Sequence, residues 1–123
     1  MPHTILLVDD EPKMRDVLGA TLADLGYRPL VACSGPEALE ILGREEVDLV
    51  LSDLRMPKMT GRELLLEIKR KQPNLPVVFI TAYSSVKDAV QAIKEGAFDY
   101  IGKPFEIEEL DATLKNALQL HGV

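Results

Sequence analysis

Five polar residues of this chain stand at the ends of short strand-like runs. Asp9 and Asp10 follow Ile5-Leu6-Leu7-Val8, Asp53 follows the run Val47 to Ser52, Thr81 closes Val77-Val78-Phe79-Ile80, and Lys103 comes shortly after Phe98 to Ile101. If those runs are strands of a parallel sheet, their carboxyl ends share one edge, and ligands of open α/β sheets bind at that edge. Asp9, Asp10 and Asp53 would then crowd three carboxylates together. Two unit charges about 4 Å apart repel by about 4 kcal/mol at an effective dielectric of about 20, so the group needs a counter-charge. A divalent cation with oxygen ligands and retained waters answers that need, and this is the preference of Mg²⁺, which also partners phosphate oxygens. Lys103 adds one positive charge and Thr81 a hydroxyl donor. Carboxylate, metal, lysine and hydroxyl together make a site for a phosphoryl group on an aspartate.

Each residue alone has a plainer reading. An Asp after a strand usually caps a helix or shapes a turn. An Asp pair, a Lys before Pro and a Thr at a strand end are weak signals. The set is informative because its members fall at the ends of different strands.

The elements that must position them alternate along the chain. After strand one, Met14, Val17, Leu18, Leu22 and Leu25 recur at helical spacing from Pro12 onward, and Gly26 is a stop. Leu30-Val31-Ala32 is a second strand led by Pro29, which suits a sheet edge because proline cannot donate a ladder hydrogen bond. Ser34 with Glu37 and Thr60 with Glu63 have capping-box spacing and open the second and third helices. The fourth helix carries Val86, Ala89, Val90 and Ile93 on one face and ends at Gly96; the last has Ile107, Leu110, Leu114 and Leu118 on one stripe, with a fraying end over Gln119 to Val123. Strands alternating with helices predict an α/β fold with a parallel sheet covered on both faces.

The chain has 123 residues, 46% hydrophobic and 28% charged, enough for one core and too apolar for disorder. Its net charge of −6 provides no electrostatic footprint for nucleic acid or an anionic membrane. The start, Met1-Pro2-His3-Thr4, lacks the features of a signal peptide, and no apolar run has the length of a membrane span. The lone Cys33 excludes an internal disulfide, suits a cytoplasmic location and reads as a small buried residue. Met56, Met59 and Phe105 read as packing residues, and His3 and His121 as surface residues.

The segments Leu7-Val8-Asp9-Asp10-Glu11-Pro12, Ser52-Asp53-Leu54-Arg55-Met56-Pro57 with Gly61, Ile80-Thr81-Ala82 and Lys103-Pro104-Phe105 resemble, in order and spacing, the receiver domains of two-component response regulators. The resemblance covers nearly the whole chain, taken as one receiver domain over residues 1–123. It implies a flavodoxin-like (CheY-like) doubly wound fold of five strand–helix units with sheet order 2-1-3-4-5, which puts the Pro29 strand at an edge. It further implies that Asp53 accepts a phosphoryl group from a sensor histidine kinase. Asp10 would bind Mg²⁺ directly, Asp9 directly or through water, and the backbone carbonyl of Arg55 would be a further ligand. Thr81 and Lys103 would contact the phosphoryl oxygens, and the small Ala82 would leave room for the group. Tyr100 corresponds to a switch aromatic that turns inward with Thr81, Lys103-Pro104 to a bond commonly cis, and Arg55 and Tyr83 flank the site.

Ala89 to Phe105, reading AVQAIKEGAFDYIGKPF, is similar to the receivers of NtrC-type activators. That similarity implies the amino-terminal part of a longer regulator with an ATPase and a DNA-binding output. Signalling, and a possible homodimer, would run through helix four, strand five and helix five; the alternative is a stand-alone receiver acting by protein contact. Other classes fit less well. An aspartate-nucleophile phosphohydrolase usually has a second acid two residues after the nucleophile, where this chain has Arg55. A nucleotide-binding module would need a glycine-rich turn after strand one, where Asp9-Asp10-Glu11 would repel phosphates. A receiver without phosphorylation chemistry would not need the full residue set.

Overall fold

The computed structural model describes residues 2–82 and 86–121. The elements follow in strict alternation: β1 (Thr4–Val8), α1 (Pro12–Asp24), β2 (Arg28–Ala32), α2 (Gly35–Leu42), β3 (Leu49–Ser52), α3 (Gly61–Lys71), β4 (Val77–Thr81), α4 (Val86–Lys94), β5 (Asp99–Gly102) and α5 (Ile107–His121). The strands pair in parallel in the order β2-β1-β3-β4-β5, the order expected from the resemblance. Pro29 lies in β2 at the sheet edge, where a missing N–H is tolerated.

Two cores form because the sheet is covered on both sides. Alternate residues of a strand point to opposite faces. Ile5 and Leu7 pack with Leu18 and Leu22 of α1 and with Leu110 and Leu114 of α5. Leu6 and Val8 pack on the other face with Ala38 and Ile41 of α2, Leu64, Leu65 and Ile68 of α3, and Ala92 of α4. All five residues of β1 are buried, so the run shows no polar alternation.

Local signals set the helix ends. Thr60 and Glu63 form the full reciprocal box: the Glu63 amide donates to Thr60 Oγ1 at 3.2 Å and the Thr60 amide to Glu63 Oε1 at 3.0 Å. At α2 only half the expected box forms. The Glu37 amide donates to Ser34 Oγ at 3.3 Å, but the Glu37 carboxylate takes the N–H of Cys33, one residue earlier, at 2.7 Å. Gly26 (φ 95°) and Gly96 (φ 113°) end α1 and α4 in the left-handed region that favours glycine.

Several expectations are corrected. β3 begins at Leu49 rather than Val47, because the Asp48 carboxylate leaves the strand to take the Thr4 N–H at 2.7 Å. β5 begins one residue later than expected, at Asp99. α5 runs through His121, with Ala117 and Leu118 buried, and the last two residues of the expected fraying end lie outside the described residues. Val90 and Ile93 do not face the core: they are 47% and 45% exposed, and α4 is seated instead by the fully buried Ala92. Val17 and Ile107 are also exposed, although both fit the helical stripes. Cys33 is exposed rather than buried, since it stands one residue past the end of edge strand β2. Met56 is buried, Met59 and Phe105 are packed against the cores, and His3 is exposed, as read from the sequence. No helix among the described residues is long and apolar enough to cross a membrane.

Candidate functional site

The strand register aligns the residues that follow β1 and β3. Val8 stands opposite both Ala32 and Ser52. The ladder continues one residue further: the Asp9 amide donates to Ala32 O at 3.1 Å and the Asp53 amide to Val8 O at 2.9 Å. Asp9 and Asp53 are thereby fixed by backbone bonds on neighbouring strands. On the other side, Thr81 pairs with Gly102, and the Lys103 amide donates to Thr81 O at 2.8 Å. The Lys103-Pro104 bond is cis, as the resemblance implied.

Side chains then converge. Carboxylate oxygens of Asp9, Asp10 and Asp53 all lie within 4.8 Å of one another. Asp9 is buried, Asp53 half-buried and Asp10 exposed. The Lys103 ammonium reaches in from β5 to 3.4 Å from Asp9 Oδ2 and 3.7 Å from Asp53 Oδ2. Amides orient the acids: Glu11 N–H donates to Asp9 Oδ1 at 2.9 Å and Arg55 N–H to Asp53 Oδ1 at 3.3 Å. Thr81 is fully buried at the end of β4, and Ala82 beside it is exposed. Tyr100 is half-buried against the core that carries α2, α3 and α4. Tyr83 lies outside the described residues.

The site gathers three carboxylates around the Lys103 ammonium. Burial raises the Asp53 carboxyl above its ordinary value; Lys103 pulls it down, as do the amides of Arg55 and Leu54, and the neighbouring Asp9 charge raises it again. A cleft lined by Asp10, Glu11, Pro12, Asp53, Arg55, Met56 and Pro57 opens beside these oxygens. Hard oxygen donors next to solvent-accessible space fit Mg²⁺, which keeps several waters.

Two contributors had no clear signal in the sequence. Arg15 of α1 donates from Nη1 to the Asp9 carbonyl at 2.7 Å. Ser52, fully buried, donates from Oγ to the Asp53 carbonyl at 2.8 Å. A polar residue inside an apolar strand was the only hint of the second. Gly61, by contrast, has a geometric reason for its place in the motif. A Cβ there would lie 2.5 Å from Asp53 O and 2.9 Å from Leu54 Cα, so α3 can approach the loop after β3 this closely only without a side chain.

Residues 5–115 match the family model of the response regulator receiver domain, and the chain belongs to this family. Among curated relatives it is 44% identical over 118 residues to the transcriptional regulatory protein GlrR of Escherichia coli (strain K12), covering 96% of this chain and 27% of that protein. It is 43% identical over 114 residues to the DNA-binding transcriptional regulator NtrC of the same organism, covering 93% of this chain and 24% of that protein. The structure of NtrX from Brucella abortus matches with a TM-score of 0.93 at 35% identity, over 99% of this chain and 28% of that one. The NtrC-type resemblance is therefore shown, and the chain spans about a quarter of the length of the curated relatives it matches.

Proposed function

We propose that this domain receives a phosphoryl group on Asp53 from the phosphohistidine of a sensor histidine kinase. A carboxylate oxygen of Asp53 attacks phosphorus, the phosphorus–nitrogen bond breaks, and its electron pair returns to the donor imidazole. Asp53 is the acid of the cluster best placed to act as the nucleophile, because its carbonyl and amide are tied down while its carboxylate faces both the cleft and Lys103. Lys103 pairs with the transferring oxygens, and the Thr81 hydroxyl donates to them. Asp10, Asp53 and the backbone carbonyl of Arg55 would hold Mg²⁺, with Asp9 binding directly or through water. The ion would supply charge neutralisation on the phosphoryl oxygens. The domain promotes only its own phosphorylation and dephosphorylation and acts on no external substrate.

The phosphorylated state would draw Thr81 toward the phosphoryl group and turn Tyr100 inward, biasing a two-state equilibrium of the face formed by α4, β5 and α5. Exposed Val90, Ile93 and Ile107 on α4 and α5 support that face as a contact surface, including one between two copies. Membership of the family and likeness to NtrC support a cytoplasmic regulator. In it, residues 1–123 form the amino-terminal receiver and control an attached ATPase and DNA-binding output of the sigma-54-dependent kind.

The observation that carries this reading is the convergence of the three carboxylates and Lys103 at one sheet edge. Intact-mass measurement after incubation with acetyl phosphate and Mg²⁺ tests it. The wild type should gain the mass of one phosphoryl group, and neither Asp53→Asn nor wild type without a divalent cation should gain it. An unmodified wild type, or a modified Asp53→Asn, overturns the assignment.

A further inference from the structure

Arg15 is a charged residue at the site for which the proposed chemistry has no use. It stands in the first turns of α1, half-buried, with its amide bonded to the Glu11 carbonyl at 3.1 Å. Its Nη1 donates to the Asp9 carbonyl at 2.7 Å. The Asp9 carboxylate in turn accepts the Glu11 amide at 2.9 Å. The turn between β1 and α1 is therefore fastened at Asp9 by the guanidinium and at Glu11 by the Asp9 side chain. Asp10, the exposed member of the acid group, lies between these two ties.

We infer that Arg15 is a positioning residue for the cation site: it holds the β1–α1 turn so that the carboxylates of Asp9 and Asp10 reach Asp53, without touching the cation itself. This rests on the Mg²⁺ reading above. Two effects of removing Arg15 oppose each other, and their signs separate them. Arg15 is a positive charge held on a residue of an acidic cluster, so its loss alone should tighten cation binding. Loss of a supporting contact to a ligand-bearing turn should weaken it, and outer-shell partners of metal ligands typically contribute about tenfold or more. Weaker binding can therefore come only from the lost support.

The test is the Mg²⁺ dissociation constant of the purified chain, measured by titration calorimetry on wild type, Arg15→Ala and Arg15→Lys, with thermal unfolding of each metal-free protein. Arg15→Ala is expected to stay folded at the assay temperature and to bind Mg²⁺ about tenfold more weakly. Arg15→Lys, which keeps the charge and a donor, should recover part of the loss. If Arg15→Ala is unfolded, Arg15→Gln is judged by the same criterion. Unchanged or tighter binding overturns the inference, as does a loss that lysine does not recover. A wild type that binds no Mg²⁺ instead brings down the cation site as a whole, and is told apart because no variant then binds either.

Discussion

Lys103 stands slightly closer to Asp9 than to Asp53, at 3.4 Å against 3.7 Å, and the Asp9 side chain is only 2% exposed. The lysine therefore compensates the buried acid as well as facing the reactive one. Lys103→Ala should leave that carboxylate without its counter-charge and destabilise the metal-free domain by about 3 kcal/mol. Millimolar Mg²⁺ should restore part of the loss and stabilise the variant more than it stabilises wild type. Urea denaturation with and without Mg²⁺ measures both; a metal-free variant as stable as wild type would contradict the pairing.

Asp53 carries a proton more readily in the folded chain than in the unfolded one, with burial the leading cause. A carboxyl whose folded value is raised contributes stability at low pH that is lost as pH rises through that value. At neutral pH, without metal, ionised Asp53 therefore works against the fold. Asp53→Asn should raise the metal-free melting temperature at about pH 7, and the gain should shrink to nothing below about pH 4, where the unfolded carboxyl is also protonated. Thermal melts across that range check the sign, and an asparagine variant less stable at neutral pH would refute it.

Gly61 tests the packing of α3 on the loop that follows Asp53. The atoms a Cβ would strike include Asp53 O at 2.5 Å and Leu54 Cα at 2.9 Å, both backbone, so the helix start itself must shift. Gly61→Ala should cost about 2 kcal/mol and slow phosphorylation by acetyl phosphate, because the displaced atoms belong to Asp53. Gly35→Ala is the control. The nearest atoms there belong to Met59, its Sδ at 2.5 Å and its Cβ and Cγ at 2.9 Å, so Gly35→Ala should also destabilise the fold but should not slow phosphorylation, because none of them belongs to Asp53. Chemical denaturation and phosphorylation rates of the two variants provide the comparison.

Lys58 has φ 69°, and the amide of Met59 donates across it to Pro57 O at 2.8 Å, as in a γ-turn. An L-residue is disfavoured there by roughly 1 kcal/mol, partly offset on changing to glycine by the greater freedom of the unfolded chain. Lys58→Gly should raise stability by about 0.5 kcal/mol, whereas Lys58→Val should lower it by more than about 1 kcal/mol. Denaturation midpoints of the pair decide between strain at this residue and its absence.

Much of the fold was legible because the central strands are apolar throughout and change character sharply at their carboxyl ends, so Asp9, Asp53 and Thr81 could be assigned to one sheet edge. Helix positions were legible from periodicity, but which side faced inward was less so. On α4 the larger residues Val90 and Ile93 face outward and small Ala92 inward, an orientation that helical spacing alone does not settle. The exposure of Cys33 has a related cause: an apolar run indicates a strand, and only the sheet order shows that this strand is an edge.

By itself the sequence determined the alternation of elements, the residue types at each strand end and hence the family, since hydrophobic period and backbone preference are local properties of the chain. The tertiary structure alone decided which groups touch. The meeting of Lys103 with Asp9 spans 94 positions, the hold of Arg15 on the Asp9 carbonyl depends on how α1 leaves β1, and the need for glycine at position 61 comes from a backbone it approaches in space. Contacts of this kind follow from strand register and helix docking, which no short stretch of residues encodes.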